Sequence, residues 1–256
     1  MIRPASGRRV RLVTVVVGVA AAALTATSAV AQDVSINFGT GAGLTERVIQ
    51  LIALLTVLTL APSILVMMTS FTRIVVVLSL LRTALGTATA PPNAVIVALA
   101  LFLTAFVMGP AFQRGYDVGI RPLINNEINV EQAFVRGSEP FKEFMLKNVR
   151  EKDLSLFMDL SREPRPATPE QTSLRILVPA FMISELKRAF EIGFLLFLPF
   201  LIIDLVVASV LMSMGMMMLP PVVVSLPFKL IFFVLVDGWR LVAGSLVESF
   251  QRGAGG

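Results

Sequence analysis

Residues 211–221 read Leu211-Met-Ser-Met-Gly-Met-Met-Met-Leu-Pro-Pro221, and they join two long apolar stretches between Gly193 and Trp239. Five of the chain's twelve methionines fall in these eleven residues: Met212, Met214, Met216, Met217 and Met218. From Gly193 to Trp239 the only charged residues are Asp204, Lys229 and Asp237. Charge within apolar sequence is costly and points into a protein interior or a wet cavity. Thioether side chains are unbranched and polarizable, so a cluster of them at a chain reversal forms a surface that can deform around what touches it. The pattern describes a membrane assembly with something passing through it or sealed by it.

The totals agree. Hydrophobic residues make up 55% of the 256 and charged ones 15%, against about 45–50% and about 25% in soluble domains. With a mean hydropathy of +0.82, the composition is that of a polytopic membrane protein. The formal charge of +5 does not indicate nucleic acid. Arg3, Arg8, Arg9 and Arg11 precede every acidic residue, and without them the balance falls to +1. Those arginines form a basic leader, followed by an apolar run at 12–24 and then Ala29-Val30-Ala31. That is the order of a secretory signal cleaved after Ala31, leaving Gln32 as the new terminus. The alternative is an uncleaved N-terminal helix, but the run is shorter than the roughly 20 residues a span needs.

Cysteine and histidine are both absent, which excludes disulfides, Cys/His zinc or haem sites, and catalytic His or Cys. No phosphate-cradling loop, nucleophile elbow or zinc-protease motif occurs. No carboxylate pair sits in a recognisable catalytic setting, so no enzyme activity, cofactor or metal is expected.

Apolar sequence from about residue 48 to 68 is followed by a second apolar piece at 74–81, bracketed by Arg73 and Arg82. Pro91-Pro92-Asn93 then starts a helix at Ala94, expected to end at Gly109-Pro110. Residues 44–110 read as a helical hairpin whose basic elbow anchors the cytoplasmic side. From Ala111 to Phe190 lie twenty-three of the chain's thirty-nine charged residues, nearly balanced in sign. Apolar residues at helical spacing across 140–159 predict one or two amphipathic helices outside the membrane, whose charged face is either solvated or a docking surface. Apolar helices follow at about 193–214 and 222–247, turning at Pro220-Pro221. The expected fold is therefore an all-α integral membrane protein. A signal peptide (1–31) and a spacer (32–43) precede two apolar hairpins (44–110 and 178–256), with an amphipathic extracytoplasmic segment (111–177) between them.

Several stretches are too specific to be generic membrane sequence. Thr69-Ser-Phe-Thr-Arg-Ile74, Leu78-Ser-Leu-Leu-Arg-Thr-Ala-Leu-Gly86, Pro91-Pro-Asn93, Phe144-Met-Leu-Lys147 and Arg150-Glu-Lys-Asp-Leu154 resemble the flagellar FliP family. So do Val178-Pro-Ala-Phe-Met-Ile-Ser-Glu-Leu-Lys187, the run from Asp204 to Pro221, and Asp237-Gly-Trp239. The resemblance covers about residues 44–250. It implies a core subunit of the type III export gate, in the bacterial inner membrane at the flagellar basal body. Such subunits assemble as a ring of about five copies with FliQ and FliR, beside other membrane proteins of the export apparatus. The ring carries unfolded rod, hook and filament proteins outward. Virulence injectisomes use a paralogous subunit, which is the alternative; a small channel or secondary transporter is a more distant one. The cleavable leader, the sizeable 111–175 segment and Leu219-Pro-Pro221 favour the flagellar branch.

The methionines at 212, 214, 216, 217 and 218 have two readings. They fill irregular packing space, or, as the resemblance implies, they line a gasket around the export pore. Asp204, Lys229 and Asp237 read either as bridges between helices or subunits or as groups on a proton path; bridges are favoured. Glu185, Lys187 and Arg188 occupy adjacent helical turns and are expected to pair across subunits.

Overall fold

The structure, a computed structural model, describes residues 44–87, 89–161, 164–216 and 218–252. The expected signal segment with Ala29, Ala31 and Gln32, the spacer 32–43, and Met217 lie outside the described residues. The chain divides into two compact units, residues 1–54 and 55–256. Within the first, residues 44–54 are helical and expose Val48, Ile49, Leu51 and Ile52.

The regular elements among the described residues are all helices, with no strand among them. Helix α1 (Leu44–Met67) runs into the second unit and turns at Met68–Ser70 into α2 (Phe71–Leu85). Ile74, Val77, Leu78, Leu81, Ala84 and Leu85 of α2 are all buried. That spacing of three and four residues sets one apolar stripe on one helix face. Gly86 ends α2 in the left-handed region at φ 78°, donating its N–H to the Thr83 carbonyl, the backbone state that favours glycine just past a helix end.

Helix α3 (Asn93–Gly115) does not stop at Gly109-Pro110 as expected. Pro110 removes one helical hydrogen bond without breaking the helix. The chain continues through a π-helical turn, Tyr116–Ile120, into α4 (Arg121–Ile124). The π turn lies against α5 (Val130–Asn148): a Cβ at Gly119 would sit 2.9 Å from the Ala133 carbonyl oxygen. Helix α5 begins with a reciprocal capping box between Asn129 and Gln132. Helix α6 (Glu151–Ser161) and a short 3₁₀ turn at Pro169–Gln171 lead to α7.

Helix α7 (Leu174–Ser213) has 40 residues, about 60 Å at 1.5 Å per residue. It begins well before the expected position near 193. Pro179 and Pro199 lie inside it. The expected helix over 222–247 is instead two, α8 (Pro221–Leu235) and α9 (Gly238–Gln251), bent by 63° at Val236–Asp237. Asp237 adopts a left-handed conformation at φ 52°, which a continuous helix cannot accommodate.

The core of the second unit is built on α2, which packs most extensively against α7. Ile74, Leu78 and Leu81 meet Ala189 and Phe200 of α7, with Phe233, Leu246 and Phe250 closing the cluster. A second cluster joins Met68, Met145, Leu177 and Phe181. Phe144 bridges the two, 6.0 Å from Phe181 and 5.9 Å from Phe250 between ring centroids. Much large apolar surface stays exposed, including Phe102 and Phe106 on α3, Phe194 and Ile202 on α7, and Val234 and Leu235 on α8. Among the described residues two helices, Asn93–Ile124 and Leu174–Ser213, are long and apolar enough to cross a membrane, and the bent α8–α9 pair makes a third if counted as one span. Such surfaces must be covered by lipid or by protein neighbours.

Candidate functional site

The methionine turn lies between α7 and α8. Gly215 reverses the chain at φ 72° with nothing within 4 Å of where a Cβ would lie. Met212 and Met214 are exposed, and Met218 is 98% exposed. Met216 is exposed too. Among the described residues the methionines that do fill the core are Met68, Met108 and Met145, the last two fully buried. The four described turn methionines are exposed and belong to neither buried cluster. They present flexible, soft side chains at the surface of this chain.

Just below the turn, the helices on either side are pinned by charge. Lys229 on α8 places Nζ 2.6 Å from Asp204 Oδ2 on α7 and donates to the Ala84 carbonyl at 3.2 Å. Ser225 donates its hydroxyl to the other Asp204 oxygen. Phe200 of α7 meets Phe232 and Phe233 of α8. Pairs 204/229 and 200/233 run in opposite directions along the two helices, as antiparallel neighbours do. Lys229 is buried and Asp204 is partly so. The ammonium also sits at the C-terminal carbonyls of α2, where positive charge is favoured by the helix dipole. One buried cation thus fixes three helices.

A second buried pair was not anticipated. Arg73 on α2, expected to anchor the cytoplasmic side at the elbow, is fully buried, and so is Glu185 on α7. The guanidinium engages both carboxylate oxygens, Nε donating to Oε2 at 2.8 Å and Nη2 to Oε1. Its remaining edge donates to Ser249 Oγ at 3.0 Å, and its carbon lies 3.7 Å from the Phe250 ring centroid. This fork geometry is what arginine, unlike lysine, supplies. Glu185 therefore pairs within its own chain rather than across a subunit boundary. Its exposed neighbour Lys187 lies 3.9 Å from Glu191 one turn along. Arg188 lines a cavity with Arg150 and Glu191. Arg82 remains partly exposed and donates to the Pro91 carbonyl and to Asn93.

Asp237 stands apart. It is exposed at the α8–α9 break, 3.9 Å from Arg240. Behind it, Gly238 packs on Phe233 so closely that a Cβ would fall 2.2 Å from the ring, and Trp239 meets the same ring edge-on at 5.3 Å. The geometry thus brings together Asp204 with Lys229, and Glu185 with Arg73. It leaves Asp237 and the methionines facing outward.

The family model for the FliP family matches residues 54–246, three quarters of the chain. The chain is 65% identical over 249 residues to the flagellar biosynthetic protein FliP of Caulobacter vibrioides, covering 97% of this chain and 94% of that one. It is 59% identical to the protein of the same name in Pectobacterium carotovorum, covering 79% of this chain and 78% of the relative. For that of Bacillus subtilis the identity is 56%, covering 79% and 91%. All three names are flagellar, which favours the flagellar branch over the injectisome alternative. With a family model and relatives that each span most of its length, the chain belongs to the FliP family of flagellar biosynthetic proteins.

Proposed function

We propose that this chain is a pore-forming core subunit of the flagellar type III export gate. Copies assemble as a ring of about five, with FliQ and FliR and beside other membrane proteins of the export apparatus, in the bacterial inner membrane. Unfolded rod, hook and filament proteins leave the cytoplasm through the ring. Residues 1–31 direct the chain to the membrane and are removed after Ala31. The two apolar hairpins form the wall of the gate, and 111–177 forms its extracytoplasmic part.

The observation that carries the reading is the exposed methionine turn on a chain of this family. An unfolded substrate offers varied side chains, so a seal must close on many shapes without leaking ions. Unbranched thioethers with three rotatable bonds suit that task better than branched residues. The ion pairs at Asp204–Lys229 and Arg73–Glu185 hold the helices behind the seal and leave the turn itself free to yield. A role on a proton path is less well supported for Asp204, because its oxygens already accept from Lys229 and Ser225.

The natural absence of cysteine gives a direct test. In Met218→Cys, the only thiols in the assembly's copies of this chain are at the turn. Oxidation should give disulfide-linked pairs of copies, because turns converging on one axis bring Cα atoms within about 7 Å. If Met218→Cys assembles but stays monomeric under oxidant, while an introduced cysteine at exposed Phe102 cross-links, the turns do not meet at an axis.

A further inference from the structure

Met212, Met214, Met216, Met217 and Met218 put five thioether sulfurs within seven residues of one turn. The backbone that carries them is held by hydrogen bonds. Gly215 N–H donates to the Met212 carbonyl at 3.1 Å and Met216 N–H to the Leu211 carbonyl at 3.0 Å, with Gly215 left-handed at φ 72°. That pair of bonds is a left-handed helix cap, and it folds Met216 back onto the last turn of α7. Leu219 N–H then donates to the Met216 carbonyl at 3.4 Å, so the chain reverses again before α8. On this fixed double reversal the side chains of Met212, Met214, Met216 and Met218 stand exposed. Each has three rotatable bonds, so their sulfurs are free to gather on a common point.

What surrounds the sulfurs narrows the ligand. From 205 to 228 the chain carries no charged residue, and its side-chain oxygens are those of Ser209, Ser213 and Ser225. Ser213 donates to the Val210 carbonyl, and Ser225 to Asp204. Asp204, the nearest carboxylate in sequence, is held by Lys229. A hard cation such as magnesium or calcium needs several oxygen ligands. Zinc needs imidazole, thiolate or carboxylate. The turn supplies neither set. Thioether sulfur is a soft donor and selects Cu(I) and its congener Ag(I). It is also neutral, so a bound ion keeps its whole charge, and the cost of desolvating that charge rises with its square. A monovalent ion is therefore favoured. We infer that the methionine turn is a binding site for a monovalent soft cation of the Cu(I)/Ag(I) class, ligated by thioethers drawn from Met212, Met214, Met216 and Met218. The expectation that no metal binds rests on Cys, His and carboxylates, and thioethers are a separate class of donor. The site belongs to a single chain and requires neither a ring nor a pore, so it stands or falls apart from the export reading.

The probe is Ag(I), added as the nitrate in chloride-free buffer to the full-length chain in detergent, with isotope-labelled methionine methyl groups read by NMR. The chain has no cysteine or histidine to compete for it. Outside the turn the methionines are scattered, with Met67 and Met68 the one adjacent pair, and Met68, Met108 and Met145 are buried. Single Met→Leu replacements assign the signals. The turn signals should shift together until about one Ag(I) per chain is bound, while those of Met108 and Met145 stay in place. Zn(II) should shift none of them. Binding should be equal at about pH 5 and about pH 8, because a thioether has no proton to release on ligation. Replacing Met212, Met214, Met216 and Met218 together with Leu nearly keeps volume. It should weaken Ag(I) binding at least about tenfold, since donors linked on one turn reinforce one another. Met67→Leu should leave binding unchanged. The inference is overturned if equimolar Ag(I) shifts no turn signal, or if Zn(II) shifts them equally. Loss of binding on acidification, shifts led by Met67, Met158 or Met182, or undiminished binding by the four-Leu variant would overturn it as well. The spectra of the unsubstituted chain decide the matter even if that variant fails to fold.

Discussion

Two arginines nine helical positions apart carry opposite assignments, and only their partners tell them apart. Arg73 and Arg82 both sit on α2, and in sequence each is a lone base beside apolar residues. Arg73 is enclosed because Glu185, 112 positions away, meets it with both oxygens. Removing either partner leaves a buried charge uncompensated, which costs about 3–5 kcal/mol. Arg73→Ala or Glu185→Ala should therefore lower the melting temperature of the detergent-solubilised protein sharply, while Arg82→Ala should cost about 1 kcal/mol or less. The double replacement Arg73→Met with Glu185→Leu should recover much of the loss, since an apolar pair of similar volume is tolerated where a single charge is not. Equal melting of the Arg73 and Arg82 variants would show that the buried pair does not stabilise the fold. Asp204→Ala should reduce assembly yield, because Lys229 would keep only its bond to the Ala84 carbonyl. If that variant assembles normally and export alone stops, the charge serves transport rather than structure.

At the scale of the helix, breaks matter more than lengths. The bend at Val236–Asp237 depends on a left-handed residue and on Gly238 lying flat against Phe233. Asp237→Gly should be nearly neutral. Asp237→Val should cost about 1–3 kcal/mol, because a β-branched side chain fits that backbone poorly. Gly238→Ala should be worse than either, since its methyl would overlap the Phe233 ring; melting curves of the three variants give the order directly. A melting order in which Asp237→Gly is the most damaging would mean that the carboxylate, not the backbone, sets the bend. Apolar runs, the methionine turn, and the charges at 204 and 229 were legible in sequence because they depend on neighbours along the chain. Three things were not. The passage of α3 through Gly109-Pro110 depends on one lost hydrogen bond being tolerable in a helix packed on its far side. The 63° bend leaves no trace in hydropathy, since both of its arms are apolar. The burial of Arg73 and the pairing of Glu185 within the chain depend on contacts that span more than a hundred residues.

The described residues expose many large apolar side chains, and the ion pairs Arg73–Glu185 and Lys229–Asp204 tie α2, α7 and α8 together. That arrangement fixes the helices behind the α7–α8 turn and leaves Met212, Met214, Met216 and Met218 outside the core. In the proposed function these side chains, with Met217, close the export pore when copies converge. Replacing Met216, Met217 and Met218 together with Ala removes three long side chains per copy while leaving the Pro220-Pro221 start of α8 intact. Replacement with Leu nearly keeps volume but loses flexibility. The direct measurement is ion conductance across the membrane of cells that carry the assembled gate. The triple-Ala gate should assemble and leak ions, and the triple-Leu gate should leak less. A triple-Ala gate that assembles fully and stays as tight as the parent would contradict the account and place the seal elsewhere.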